Sequence, residues 1–202
     1  MIVAQAGVPG SATDTGSVSA PDNAWLGVAP NLQANGGGNR ANQFTLVMDF
    51  SPSQVSASWN RLVKGGHASY YQNQSRVGIW MASANQIWSP TGSLATGEWY
   101  RLVYVVDTAN DRFATFLDGV LVATGGGGGI DGPASLDPDN ITILGDASSY
   151  QEETSCSLFA VYNRPVTRAY VAENLAVVGE TIPVGSDPEA VLSANSLASV
   201  SY

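Results

Sequence analysis

Between residues 70 and 88 the chain collects rings and amides: Tyr70, Tyr71, Gln72, Asn73, Gln74, Trp80, Asn85 and Trp88. Aromatic side chains present flat apolar faces, and amides beside them supply the few directional hydrogen bonds that orient a polar ligand such as a sugar. A glycan or surface-protein contact is therefore expected here, through Tyr70, Tyr71, Asn73, Trp80, Asn85 and Trp88. Tyr71 and Trp88 lie beside polar loops and are expected to be exposed. Trp59 and Trp99 are flanked by alternating apolar residues and are expected in the core. Trp80 suits either place.

A second group is acidic. Asp131, Asp137 and Asp139 crowd one loop with Asn140, and Asp146 follows closely. Hard oxygen ligands on a loop suit Ca²⁺, which makes these three aspartates the expected metal ligands. The spacing is not that of an EF-hand, and Asp137-Pro138 reads equally well as a turn in a solvated loop.

Other chemistry is hard to assemble. Glycoside hydrolysis needs two carboxylates across the scissile bond. Glu152 and Glu153 are adjacent, so on a strand they point to opposite faces. Glu98 stands alone, and Asp107 with Asp111 belongs to a hairpin turn. His67 is the single histidine and Cys156 the single cysteine, too few for a Cys/His metal site and enough for no internal disulfide. Cys156, in a strand-like run, reads as a buried apolar filler. The glycines Gly125 to Gly129 lack the lysine and helix start of a phosphate-binding loop.

The charge points the same way. The chain of 202 residues carries a net charge of −9, unevenly spread. Residues 1–97 hold three acids and four bases, whereas residues 98–202 hold 14 acids and four bases. Such a chain is repelled by phosphate backbones and anionic lipid, so no nucleic acid partner and no membrane insertion are expected. No apolar run approaches the roughly 20 residues that span a bilayer. The first residues, Met1-Ile2-Val3-Ala4-Gln5, lack the basic start and long apolar stretch of a secretory signal.

The elements that must position these residues are strands. Only 12% of residues are charged, against a usual quarter or so, and 22 are glycine. Gln43–Phe50 alternates, with Phe44, Leu46, Met48 and Phe50 on one face. Trp59–Val63, Arg76–Met81, Glu98–Asp107, Arg112–Leu117, Val120–Ala123, Asn140–Leu144 and Ser155–Tyr162 read as further strands, with a wetter His67–Ser75 connection. Asp118-Gly119 is a tight hairpin turn. Thr167 can cap a short helix, Arg168–Val177, stopped by Gly179. Ser186-Asp187-Pro188-Glu189 carries a helix-start pattern and suggests a second short helix in the tail. Residues 1–22 read as an extended lead-in, 23–179 as the folded domain and 180–202 as a tail. Both small-residue ends are expected to contact other chains of a larger assembly.

Three stretches resemble the laminin-G-like, concanavalin A-like jelly-roll superfamily: Gly97–Asp107, Phe116–Val122 and Leu158–Thr167, in that order and spacing. Gly37–Asp49 is similar to the second strand of bacterial members. The resemblance implies an all-β, two-sheet antiparallel jelly-roll sandwich with one short helix after the last strand. It also implies a Ca²⁺ at a sheet rim in some members. Since the superfamily hosts glycan binders, adhesion modules, endoglucanases and structural units, fold alone leaves function open. The Glu-Asp-Glu run of its glucanases is missing. The expectation is a non-catalytic recognition or decoration module, extracellular or on a virion surface. A purely structural decoration protein is the alternative, and a glucanase-type hydrolase the more distant one.

Overall fold

A computed structural model describes residues 18–20, 25–30, 32–56, 59–65, 68–80, 86–145, 154–183 and 188–193. The strands run in order: β1 (Val18–Ala20), β2 (Leu26–Val28), β3 (Gln43–Pro52), β4 (Trp59–Gly65), β5 (Ala68–Asn73), β6 (Arg76–Trp80) and β7 (Gln86–Trp88). They continue with β8 (Tyr100–Asp107), β9 (Arg112–Leu117), β10 (Val120–Gly125), β11 (Ile141–Ile143), β12 (Thr154–Tyr162) and β13 (Pro188–Ser193). One helix, α1 (Arg168–Asn174), follows β12.

The strands form two antiparallel sheets. The seven-stranded sheet has the order β1-β12-β3-β8-β9-β10, with β13 also on β12. The six-stranded sheet has the order β2-β11-β4-β5-β6-β7. This is the expected all-β sandwich with its short helix. Alternation builds the interior: Phe44, Leu46, Met48 and Phe50 of β3 join Leu62, Tyr70, Val77, Ile79 and Ile87 in one buried cluster between the sheets.

The Asp118-Gly119 turn forms as its sequence demands. Both residues take positive φ, 49° and 75°, and Leu117 pairs with Val120 across it. Thr167 caps α1, its hydroxyl accepting from the Tyr170 N–H at 3.1 Å. The helix is shorter than the spacing suggests and ends at Asn174. Cys156 lies buried in the core, and that burial pushes its thiol well above the ordinary range.

Three expectations are corrected. The His67–Ser75 connection holds a strand, β5, whose polar Gln72 is buried and donates to the carbonyls of Gln54 and Gln74 at 2.8 and 3.1 Å. The lead-in is not wholly outside the domain, because β1 pairs with β12 over Val18–Ala20. The tail helix does not form: residues 188–193 are β13, running antiparallel along Leu158–Tyr162. A helix of one or two turns is marginal by itself, whereas the open edge of β12 offers a full row of backbone partners. Both terminal strands are thus spent on their own chain's β12.

Candidate functional site

The two sheets turn different faces outward. Over the seven-stranded sheet, Val171 of α1, Leu175 just after it and Ile182 pack on Val47, Val103, Phe116, Leu158, Ala160 and Tyr162. Beneath the same cover, Asp49 and Arg101 form a buried ion pair, with Arg101 Nε 2.6 Å from Asp49 Oδ1 and a second guanidinium N–H reaching Oδ2 at 2.7 Å. Asp49 also accepts from the Gly179 N–H, and Arg101 donates to the Glu180 carbonyl. These bonds pin the segment after α1 onto the sheet.

The outer face of the six-stranded sheet carries no such cover among the described residues. Because Tyr70, Ile79 and Ile87 point into the core, their neighbours Tyr71, Trp80 and Trp88 point out. Strand register sets them side by side. Arg61, Tyr71, Gly78 and Trp88 are successive partners across β4, β5, β6 and β7. Trp59, Asn73 and Arg76 form the row on one side of it, and Lys64, Ser69, Trp80 and Gln86 the row on the other.

Trp59 sits at the centre, its ring 4.6 Å from Trp80, 5.4 Å from Trp88 and 5.4 Å from Tyr71, centroid to centroid. Gly78 makes this possible: a Cβ there would lie 2.5 Å from Trp88 Cε3, so only glycine lets the indole settle on the strand. The Trp88 indole N–H donates to Gln86 Oε1 at 3.0 Å. Arg61 Nε donates to the Tyr71 hydroxyl at 3.0 Å, and the Arg76 guanidinium lies 5.3 Å from the Trp88 ring centroid. At the other end of the face, Trp25 (43% exposed) leans over Gly27 of β2.

The structure brings together part of the expected set. Tyr71, Asn73, Trp80 and Trp88 share the outer face. Tyr70 does not: it is fully buried, edge-on to Phe44 and beside Tyr104, with its hydroxyl donating to the Ala134 carbonyl at 3.2 Å. Adjacent strand residues cannot share a face, so Tyr70 and Tyr71 had to part. Burial raises the Tyr70 phenol well above its usual range, which keeps it neutral. Tyr71 is less open than expected, being 3% exposed beneath its ring neighbours. Asn85 and His67 lie outside the described residues. Trp99 is half-buried in the loop before β8.

Trp59, expected in the core, is half-buried on the outer face instead. A β-bulge between Arg61 and Val63 explains the error. Unbroken alternation would put Trp59 on the same side as the core residue Val63, but the bulge flips the parity. Trp59, Trp25, Arg61 and Arg76 are thus the residues on this face that sequence reasoning missed. The polar Asn60 and Arg61 beside Trp59 were the available signal.

A family model described as the concanavalin A-like lectin/glucanases superfamily matches residues 26–172, most of the chain. The chain belongs to that superfamily. A comparison with curated proteins finds no match. Among solved structures, this concanavalin A-like chain is similar to the CBM40 module of the Ruminococcus gnavus IT-sialidase bound to α2,3-sialyllactose. The two share 14% identity and a TM-score of 0.59, over 80% of this chain and 96% of that one. It is also similar to the native heptameric SAP-like pentraxin of Limulus polyphemus, at 14% identity and a TM-score of 0.53, over 95% and 94% of the two chains. A third likeness is to Trypanosoma rangeli sialidase in complex with the inhibitor DANA. There the identity is 14% and the TM-score 0.52, over 65% of this chain and 22% of the sialidase, so the match spans under a quarter of that enzyme. At these identities the likeness is one of fold.

The expected calcium set does not converge in this concanavalin A-like domain. Among the described residues no three acidic, histidine or cysteine side chains are grouped to hold a metal. The Asp131 carboxylate is instead taken up by N–H donors: Asn39 N at 2.7 Å, Arg40 N at 2.9 Å and the Asn42 side-chain amide at 3.0 Å. The Asn39 bond, with those of Asn42 and Arg40, holds the Asp131 carboxyl below its ordinary range. Asn42 in turn accepts from Thr108, Asp131 and Ser135, which ties the end of the sandwich together. Asp137 accepts from the Asp139 N–H at 3.1 Å, as a turn residue does. The Asp131 and Asp137 carboxylates thus tie loops, and among the described residues the three aspartates form no cation-holding group.

A cavity of about 490 Å³ opens elsewhere, beside the seven-stranded sheet, where Val105, Phe113, Ala114, Pro165 and Val166 surround Asp107. Burial would raise the Asp107 carboxyl, but bonds from Gln43, Asn110 and Arg112 outweigh it and the net shift is downward. Its oxygens already serve those donors, and the cavity walls are mostly apolar. The aromatic face is the better candidate.

Proposed function

We propose that this chain is a non-catalytic glycan-recognition module that contacts carbohydrate through the outer face of its six-stranded sheet. The observation that carries the reading is the cluster of Tyr71, Trp80 and Trp88 around Trp59, its three indoles half-buried, on a face that no described element covers. Amphipathic rings left partly open, with Gln86 and Asn73 beside them, supply stacking surface and amide hydrogen bonds together. Five strand spacings separate β2 from β7, so Trp25 and Trp88 stand about 24 Å apart, room for a chain of sugars rather than one ring. The likeness to a sialyllactose-bound CBM40 module supports the same class of ligand.

Absence of turnover belongs to the same reading. The strands of this face contain no aspartate or glutamate, and glycoside hydrolysis needs a pair. A module of this kind acts where glycans are displayed, outside a cell or on a virion. Retention on a glycan array should fall at least tenfold on Trp88→Ala, which corresponds to about 1.4 kcal/mol. The circular dichroism spectrum should not change. Retention that survives both Trp88→Ala and Trp59→Ala would move the site away from this face, and reducing sugar released from β-glucans would overturn the non-catalytic reading.

A further inference from the structure

The charges on the two sheets are distributed against the composition of the chain. The protein has 17 acidic and eight basic side chains. Yet the strands of the six-stranded sheet hold Arg61, Lys64 and Arg76 and no acid at all. All three cations occupy outward positions, in the same rows as the aromatic cluster. Arg61 is bonded to the Tyr71 hydroxyl, which fixes it as part of the platform.

Arg76 is different. Its guanidinium lies 5.3 Å from the Trp88 centroid, and its buried Nε has no hydrogen-bond partner. A guanidinium laid against a ring keeps its N–H donors at its edge, where a carboxylate or sulfate can accept two at once. An arginine so placed, beside a ring positioned to stack a sugar, presents donors that a neutral glycan would use poorly.

We infer that the ligand of this face is an acidic glycan, whose carboxylate or sulfate group is bound by the Arg76 guanidinium beside Trp88. This rests on the glycan reading above and narrows it. The net charge of −9 does not oppose it: at physiological ionic strength fields fade within about 8 Å, so a polyanion on this face meets the local cations before the distant acids. The strands of this sheet carry only Arg61, Lys64 and Arg76 as charged residues, so no acid shares these rows.

Affinity electrophoresis in gels containing polymer pairs of one backbone tests this: dextran sulfate against dextran, and polygalacturonate against its methyl ester. At least one charged polymer should retard the protein about tenfold more strongly than its neutral partner, with the excess falling as salt rises. Which pair shows the excess tells sulfate from carboxylate. Arg76→Gln should bring the charged-to-neutral ratio close to one, and Arg76→Lys should restore part of it, both with an unchanged thermal midpoint. Equal retardation by charged and neutral polymers, or a ratio that Arg76→Gln leaves intact, overturns the acidic ligand while leaving glycan recognition standing. Retardation of the protein by single-stranded DNA in the gel, as strong as by the charged glycans, would overturn it too, by showing a general polyanion surface. No retardation by any polymer, neutral ones included, would count against the glycan reading itself.

Discussion

The outer face of the seven-stranded sheet and that of the six-stranded sheet are built from similar strands and have opposite fates. On the first, Val47, Val103 and Phe116 are buried under Val171, Leu175 and Ile182, and a buried Asp49–Arg101 pair fastens the cover. On the second, rings of comparable size stay half open, and the charged groups beside them are cations. The difference teaches that apolar surface alone does not mark a binding face. What distinguishes the proposed binding face is apolar surface left without its own cover and given polar neighbours.

Three substitutions probe that contrast. Asp49→Ala strands the buried Arg101 guanidinium and should cost roughly 3–5 kcal/mol in urea unfolding, with glycan retention per folded molecule unaltered. A loss under 1 kcal/mol would show the pair is not what holds the cover.

Leu175→Ala on the covered face should cost roughly 2–5 kcal/mol and leave binding alone. Trp59→Ala on the open face should cost about 1 kcal/mol of stability while sharply lowering retention. If the two variants showed the same profile, the faces would not differ in role.

The smallest effect belongs to Asp131. Its folded carboxyl value is lowered, chiefly by the Asn39 N–H. The stability it contributes is therefore complete above the unfolded value of about 3.9 and lost as pH falls through the lower folded value. Asp131→Asn should reduce stability at pH 7 and flatten the decline below about pH 4, read as urea midpoints across pH. Parallel curves for the two proteins would remove Asp131 from the account.

Several elements were legible from the chain because their causes are local. The Asp118-Gly119 hairpin needs only two residues that tolerate positive φ, the Thr167 cap only one hydroxyl, and the inward row of β3 only strict alternation. The aromatic site was half legible. Tyr71, Asn73, Trp80 and Trp88 share the outer face, whereas Tyr70 points into the core, because neighbouring residues look alike until a register assigns their faces. Trp59, expected in the core, lies on the outer face because a bulge two residues on inverts the parity.

The sequence by itself determined that this chain makes short antiparallel strands, buries one residue in two, and carries no glucanase-type Glu-Asp-Glu run. Those are properties of composition and of near neighbours. The tertiary structure alone decided that residues 188–193 extend along β12 rather than coil, that Asp131 secures the loop at Asn39 and Arg40, and that the rings of four strands meet around Trp59. Each depends on a partner far away in the chain, whose place is set by the packing of the whole sandwich and by no local preference.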